Sequence, residues 1–206
     1  MADGIRAARG ENGRRDLTEI AIDCFARYGY RATSIARIAA AAGLTKGAIY
    51  YHFKDKEELL FEAVADRLSQ FERSVTAEIL PLADAVTALR QTTRVCFDHA
   101  TKSNHRRFMV TLMVEAIDTN ARLTEQFRAM MHRFRGFVRE IIEFGQCQGV
   151  FRRDVDGTTA ASVFAGAIMG AEIQYYQDPE GFDLEGTLAT FLEQYVGSLR
   201  PAAAGG

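Results

Sequence analysis

An all-α protein of about nine helices is predicted by three observations. Only three prolines occur, at 81, 179 and 201, so long helix-permissive stretches lie between them. No run shows the strict apolar/polar alternation of a half-buried strand. Apolar residues recur at helical spacing instead, first at Leu17, Ile20, Ala21, Cys24, Phe25 and Tyr28. The 206 residues are 48% hydrophobic and 25% charged, which suits one globular domain or two small ones. That composition excludes whole-chain disorder, a collagen-like fibre and a disulfide miniprotein.

The first thirteen residues, rich in Gly, Ala and Arg, read as a disordered arm. A first helix starts near Arg14 and is closed by Gly29. Thr33 is expected to cap a second helix, buried through Ile35, Ile38, Ala39 and Ala42 and ended by Gly43. Thr45 caps a short third helix through His52. A fourth runs from Lys56 to Leu80, before Pro81. Further helices are predicted at 82–101, 105–118, 121–148, 157–177 and 184–199, with a disordered tail over 201–206. The chain divides into a small N-terminal helical domain over 14–60 and a larger helical domain over 61–200.

Cys24, Cys96 and Cys147 are widely spaced and form no CxxC pair, so neither a disulfide framework nor a zinc site is expected. The reading is of a protein in a reducing cytoplasm. Met1–Arg15 shows no signal peptide, and the apolar-leaning run Gly157–Ala171 is too short to span a bilayer. The four histidines (52, 99, 105, 132) form neither HxxxH nor HExxH, and no Glu-x-x-His pair occurs. Gly-x-Ser-x-Gly, Walker A and dinucleotide fingerprints are also lacking. An enzyme, a metal site and a cofactor are therefore not expected.

Residues 33–53 place two helices around a turn containing Gly43, with Leu44 its single apolar residue and Ala39, Ala40 and Ala42 small enough for a close crossing. This is the form of a helix-turn-helix, whose second helix enters the major groove. Between Arg27 and Lys56 there are six basic residues and one acid, a local charge of +5 within a chain whose formal net charge is −2. Such a patch attracts phosphates and makes binding salt-dependent. An ordinary αα-hairpin with a solvated basic edge shares this outline.

The order of residues distinguishes the two. Thr33-Ser34, Ile38-Ala39, Ala42-Gly43-Leu44-Thr45-Lys46-Gly47, Tyr50, His52-Phe53, Lys56-Glu57 and Leu59-Leu60 resemble the DNA-binding domain of the TetR family of bacterial transcriptional regulators. Ala21, Phe25 and Gly29-Tyr30 fit as well. The resemblance implies a sequence-specific regulator, a repressor in the usual case, released from a palindromic operator when a small effector binds. It implies DNA contacts from Thr33, Thr45, Lys46, Gly47, Tyr50, Tyr51, His52 and Lys56. Tyr50 and His52 resemble the family's phosphate-contacting pair, and Lys56 its flanking lysine. Tyr51 and Lys46 are the expected source of sequence choice. In the family, tilting of the fourth helix on effector binding separates the two reading heads.

The later part matches only in helix count, length and order. Its large apolar residues suggest either a thick core or an adaptable pocket. The expected lining is Phe97, Phe108, Met109, Met113, Met130, Phe134, Phe137 and Gln174, with His99, Glu115 and His132 as further polar candidates. The effector would be small and apolar or amphipathic. The last two helices read as a homodimer interface through Phe164, Gly166, Ile168, Gly170, Leu188, Phe191, Leu192 and Tyr195, in a four-helix bundle. The same stripes could be core within one chain. A second alternative is a redox sensor using Cys96 or Cys147.

Overall fold

The computed structural model describes residues 2–79 and 84–201. Every regular element among them is a helix: α1 Ala2–Tyr28, α2 Ile35–Ala41, α3 Lys46–His52, α4 Lys56–Ile79, α5 Ala85–Lys102, α6 Asn104–Ala116, α7 Ala121–Cys147, α8 Gly157–Gln177 and α9 Leu184–Leu199. The all-α prediction holds, and α8 and α9 begin and end at the predicted residues. The first helix differs from its expected start near Arg14. It is already helical at Ala2, since Ala, Arg and Glu favour a helix and each glycine costs only about 1 kcal/mol. The expected end of α4 at Leu80 and the tail from Ala202 onward lie outside the described residues.

The chain forms two compact units, Met1–Gln70 with Asn104–Gln126, and Phe71–Ser103 with Phe127–Gly206. This departs from the predicted boundary at residue 60. The start of α4 and all of α6 pack with the N-terminal helices, so the first unit is built from two stretches of chain.

In the first unit, α1 buries Leu17, Ala21, Ile22 and Phe25, and α6 supplies Met109, Val110 and Leu112. Phe25 stacks on Phe108 with ring centroids 6.3 Å apart. His105 of α6 is paired with Asp23 of α1 at the edge of this contact. Ile38, Ile49, Phe53, Leu59 and Leu60 fill the space between α2, α3 and α4. Gly43, in the turn from α2 to α3, has φ +65°, a conformation costly for a residue with a Cβ.

In the second unit, three helices are started by aspartates. Asp84, Asp156 and Asp183 each accept the backbone N–H three residues on, from Thr87, Thr159 and Gly186 at 2.8, 2.7 and 2.9 Å. These bonds hold the carboxyls of Asp84 and Asp156 below the ordinary carboxylate range. The core runs through Leu89, Cys96, Met130, Val138, Ile142, Phe164, Ile168 and Leu188. Phe164, Phe191 and Tyr195 form an aromatic cluster between α8 and α9 with centroids 5.3–5.6 Å apart. The Tyr195 hydroxyl donates to the Ala160 carbonyl at 2.8 Å, and burial drives its pKa upward.

Near the end of α7, a Cβ on Gly145 would overlap the ring of Phe151 and lie 2.9 Å from the Cβ of Ala85. Phe151 is fully buried and has nowhere to retreat. Gly145→Ala should therefore cost about 1–3 kcal/mol by overpacking. Urea unfolding checks this; an unchanged midpoint would show that the site relaxes freely.

Candidate nucleic-acid interface

The second helix of the predicted helix-turn-helix is α3, only seven residues long. Thr45 caps it, its hydroxyl accepting the Ala48 N–H at 3.2 Å. Ile49 points inward and is fully buried. The opposite face carries Lys46, Gly47, Tyr50 and Tyr51, all exposed, and Tyr51 is 85% accessible. A Cβ at Gly47 would meet only the Thr45 hydroxyl, at 3.8 Å, so the backbone here can approach a ligand closely. His52 is half-buried and stands edge-on to Tyr51 with centroids 5.1 Å apart. The structure thus brings Thr45, Lys46, Gly47, Tyr50, Tyr51 and His52 together on one short helix.

Two predicted contacts are placed elsewhere. Thr33 does not cap α2. Ser34 does, accepting the Arg37 N–H at 3.2 Å. Thr33 is 1% exposed, and its hydroxyl is shared between the carbonyls of Gly29 and Cys24 at 2.7 and 3.1 Å. It fastens the end of α1 and cannot reach a phosphate. Lys56 is also turned inward. Its ammonium donates to the Tyr30 and Thr33 carbonyls at 2.9 and 3.0 Å and lies 4.2 Å from the centre of the Tyr30 ring. Burial, followed by the charges of Glu57 and Asp55, raises the Tyr30 phenol pKa.

Two residues missed at the sequence level hold this unit in shape. Arg14 bridges α1, α3 and α4, and Arg37 lies over the Tyr28 ring at 4.4 Å while donating to the Ala32 carbonyl at 3.3 Å. The only signal for Arg37 was its place among the six basic residues of 27–56, and Arg14 carried none.

The expected effector lining is not gathered into one cavity. Phe108, Met109 and Met113 belong to the first unit, where Phe108 and Met109 pack on or beside α1. Met130 is buried in the second unit, and Gln174 faces outward, bonded to the Gly170 carbonyl of its own helix. Glu115 and His132 are exposed, and His99 is bonded to Ser74 at 2.9 Å. Phe134 and Phe137 do line a cavity of about 210 Å³ between α4 and α7, with Phe71, Val75, Thr76 and a Glu72–Arg133 ion pair at 2.6 Å. Phe97 lines a separate open groove of about 730 Å³ between α5 and α9.

The predicted dimer stripes also separate. Phe164, Ile168, Leu188 and Tyr195 are buried within the chain, so they are core and not interface. Leu192 is half-buried in the α5–α9 groove. Gly166 and Gly170 face outward with open space beside them, and Phe191 is half-exposed. For thiol oxidation, Cys96 is 1% exposed and out of reach, whereas Cys147 is exposed. Among the described residues there is no cluster suited to a metal ion, and no helix is long and apolar enough to cross a membrane.

Residues 17–63 match the sequence profile of the bacterial regulatory proteins of the tetR family, and residues 86–169 match a tetracyclin repressor-like C-terminal domain. The chain is 28% identical over 191 residues to the transcriptional repressor NicS of Pseudomonas putida, covering 92% of this chain and 86% of that protein. It is 32% identical over 152 residues to the repressor KstR2 of Rhodococcus jostii, covering 71% and 72%. A TetR transcriptional regulator from Chloroflexus aurantiacus superposes with a TM-score of 0.83 at 28% identity, covering 95% of this chain and all of that one. FadR of Bacillus subtilis, solved with stearoyl-CoA, gives 0.76 at 21% identity, covering 89% and 98%.

The placement of Lys56 has a direct consequence. Lys56→Ala should destabilise the fold by about 1–2 kcal/mol, because two turn carbonyls lose a charged donor. Denaturant unfolding checks this; unchanged stability together with weakened DNA binding would instead mark Lys56 as a phosphate contact.

Proposed function

The chain belongs to the TetR family, and from that premise we propose that this transcriptional repressor reads a palindromic operator as a homodimer and leaves it when a small, largely apolar effector binds. The observation that carries the reading is the outward face of α3. Lys46, Tyr50 and Tyr51 lie exposed beside the bare backbone of Gly47, on a helix whose buried side is fully packed. Lys46 is suited to a phosphate or a guanine edge, and Tyr51 to base edges and thymine methyls.

The dimer reading rests on charge as well as shape. The exposed positions Val163, Gly166 and Gln174 of α8 and the half-buried Gly170 carry no charge, and the one acid of that helix, Glu172, is buried. On α9, Thr187, Thr190, Gln194 and Ser198 continue an uncharged outward stripe beside Phe191. The hydroxyls of Thr187 and Ser198 are satisfied by carbonyls of Asp183 and Tyr195, so this face asks little of water. A helix from a second copy can approach closely over the glycines, and two-fold pairing makes such a patch self-complementary.

The α4–α7 cavity is the proposed effector site. An engineered apolar cavity of about 150 Å³ binds benzene, so about 210 Å³ accommodates one ring with a substituent. The site touches α4, the helix whose first residues belong to the DNA-reading unit. An effector that binds better when α4 is displaced shifts the population away from the DNA-competent state.

Selection of bound fragments from a random duplex pool tests the whole reading. A recovered palindrome is expected; no enrichment by folded protein would overturn it. Lys46→Ala and Tyr51→Ala should leave unfolding unchanged and weaken binding to the selected duplex by about 1–3 kcal/mol each if they reach base edges. Fluorescence anisotropy across a salt series measures this.

Val163→Asp places a charge on the uncharged face and should yield monomer with weakened operator binding. Size exclusion with light scattering measures it. A dimer of unchanged stability would move the interface elsewhere.

A further inference from the structure

Arg14 sits where three elements of the first unit meet. Its Nε and Nη2 donate to the two carboxylate oxygens of Glu62 on α4, at 3.1 and 2.5 Å. Its Nη1 donates to the carbonyl of His52, the last residue of α3, at 3.0 Å. Its guanidinium also lies over the buried ring of Phe53, 4.8 Å from the centre. Two edges and one face of the planar group are thus engaged, a combination that the point charge of lysine cannot reproduce.

The helix held in this way is short. Seven residues give α3 almost no stability of its own, so its direction is set by whatever fixes its ends. Thr45 secures the start, and Ile49 fixes which side faces inward. At the other end, Phe53 has left the helix in an extended conformation, and the carbonyls there need donors. Arg14 supplies one and places a positive charge at the negative end of the helix dipole. Because the same guanidinium grips Glu62, it ties the end of α3 to α4 as well as to α1.

We propose that Arg14 is a positioning residue for DNA discrimination: it holds α3 in register through Glu62, His52 and Phe53, and it touches no nucleic acid. The proposal rests on α3 being the DNA-reading element. Without Arg14, α3 remains folded and basic but rocks about its capped start, moving Tyr50 and Tyr51 most because they lie nearest the released end. Backbone phosphates tolerate that motion, and base edges do not.

The test compares wild type with Arg14→Ala, Arg14→Lys and Glu62→Gln, each held well below its own unfolding transition. Affinity is measured for the duplex recovered by selection and for a scrambled duplex of equal length, over a salt series. Arg14→Ala and Arg14→Lys should lose about tenfold or more in the ratio of the two affinities, with scrambled-duplex affinity and salt slope unchanged. Glu62→Gln, which keeps the shape and loses the charge, should lose less. A general structural defect would lower the amount of active protein and leave the ratio intact, which would overturn the proposal. A salt slope reduced by about one in Arg14→Ala would also overturn it, because Arg14 would then be a phosphate contact. If wild type itself failed to discriminate between the duplexes, the DNA-reading assignment of α3 would fall, and the proposal with it. If Arg14→Ala does not fold, the Arg14→Lys and Glu62→Gln ratios decide the matter.

Discussion

The turn between α1 and α2 draws backbone carbonyls into a partly buried cluster. Those of Cys24, Gly29, Tyr30 and Thr33 are met by two side chains, the hydroxyl of Thr33 and the ammonium of Lys56. An unpaired buried carbonyl costs as much as a lost hydrogen bond, so this knot fixes the chain before α2 begins. Ser34 can then cap α2, Gly43 can turn the chain left-handed, and Thr45 can start α3. The exposed face of α3 follows from this sequence of fixed points, since seven residues cannot orient themselves.

The α4 helix carries two carboxylates ten positions apart, and each is held by an arginine of another helix. Glu62 is held by Arg14 of α1, and Glu72 by Arg133 of α7. The first contact also reaches the end of α3, and the second stands at the mouth of the aromatic cavity. Both pairs are partly open to solvent, where ion pairs contribute little stability. They are better understood as setting where α4 lies against α1 and α7 than as supports of the fold.

Most of the architecture was legible in the amino-acid sequence, because periodicity and caps are local. Asp156 and Asp183 mark the starts of α8 and α9, and Gly29 and Gly43 mark the ends of α1 and α2. What could not be read depends on neighbours distant in sequence. Thr33 and Ser34 are both good caps, and only the carbonyls waiting at Cys24 and Gly29 decide which hydroxyl turns inward. Lys56 has a long stem and three donors, and sequence does not say whether those donors meet phosphates or the chain's own carbonyls. On α8 two stripes were visible, one large and apolar, one small. Phe164 and Ile168 belong to the core of their own chain, which leaves the glycines outside. The expected pocket residues are spread apart for a similar reason: α6, though it follows α5 in sequence, packs with α1.

The interleaving of the two units bears on how the molecule is made. Synthesis is vectorial, and the chain leaves the first unit after Gln70 and returns to it only at Asn104. At about 5–20 residues per second, the ribosome takes roughly 3–11 s to add the 56 residues that follow Gln70 and complete the first unit at Gln126. Until α6 is made, the apolar side of α1 around Phe25 has no Phe108 to cover it. A fragment stopped before α6 would therefore carry an uncovered apolar surface on α1. In this topology the N-terminal reading head cannot mature first and wait for the rest; it is closed by helices made after it.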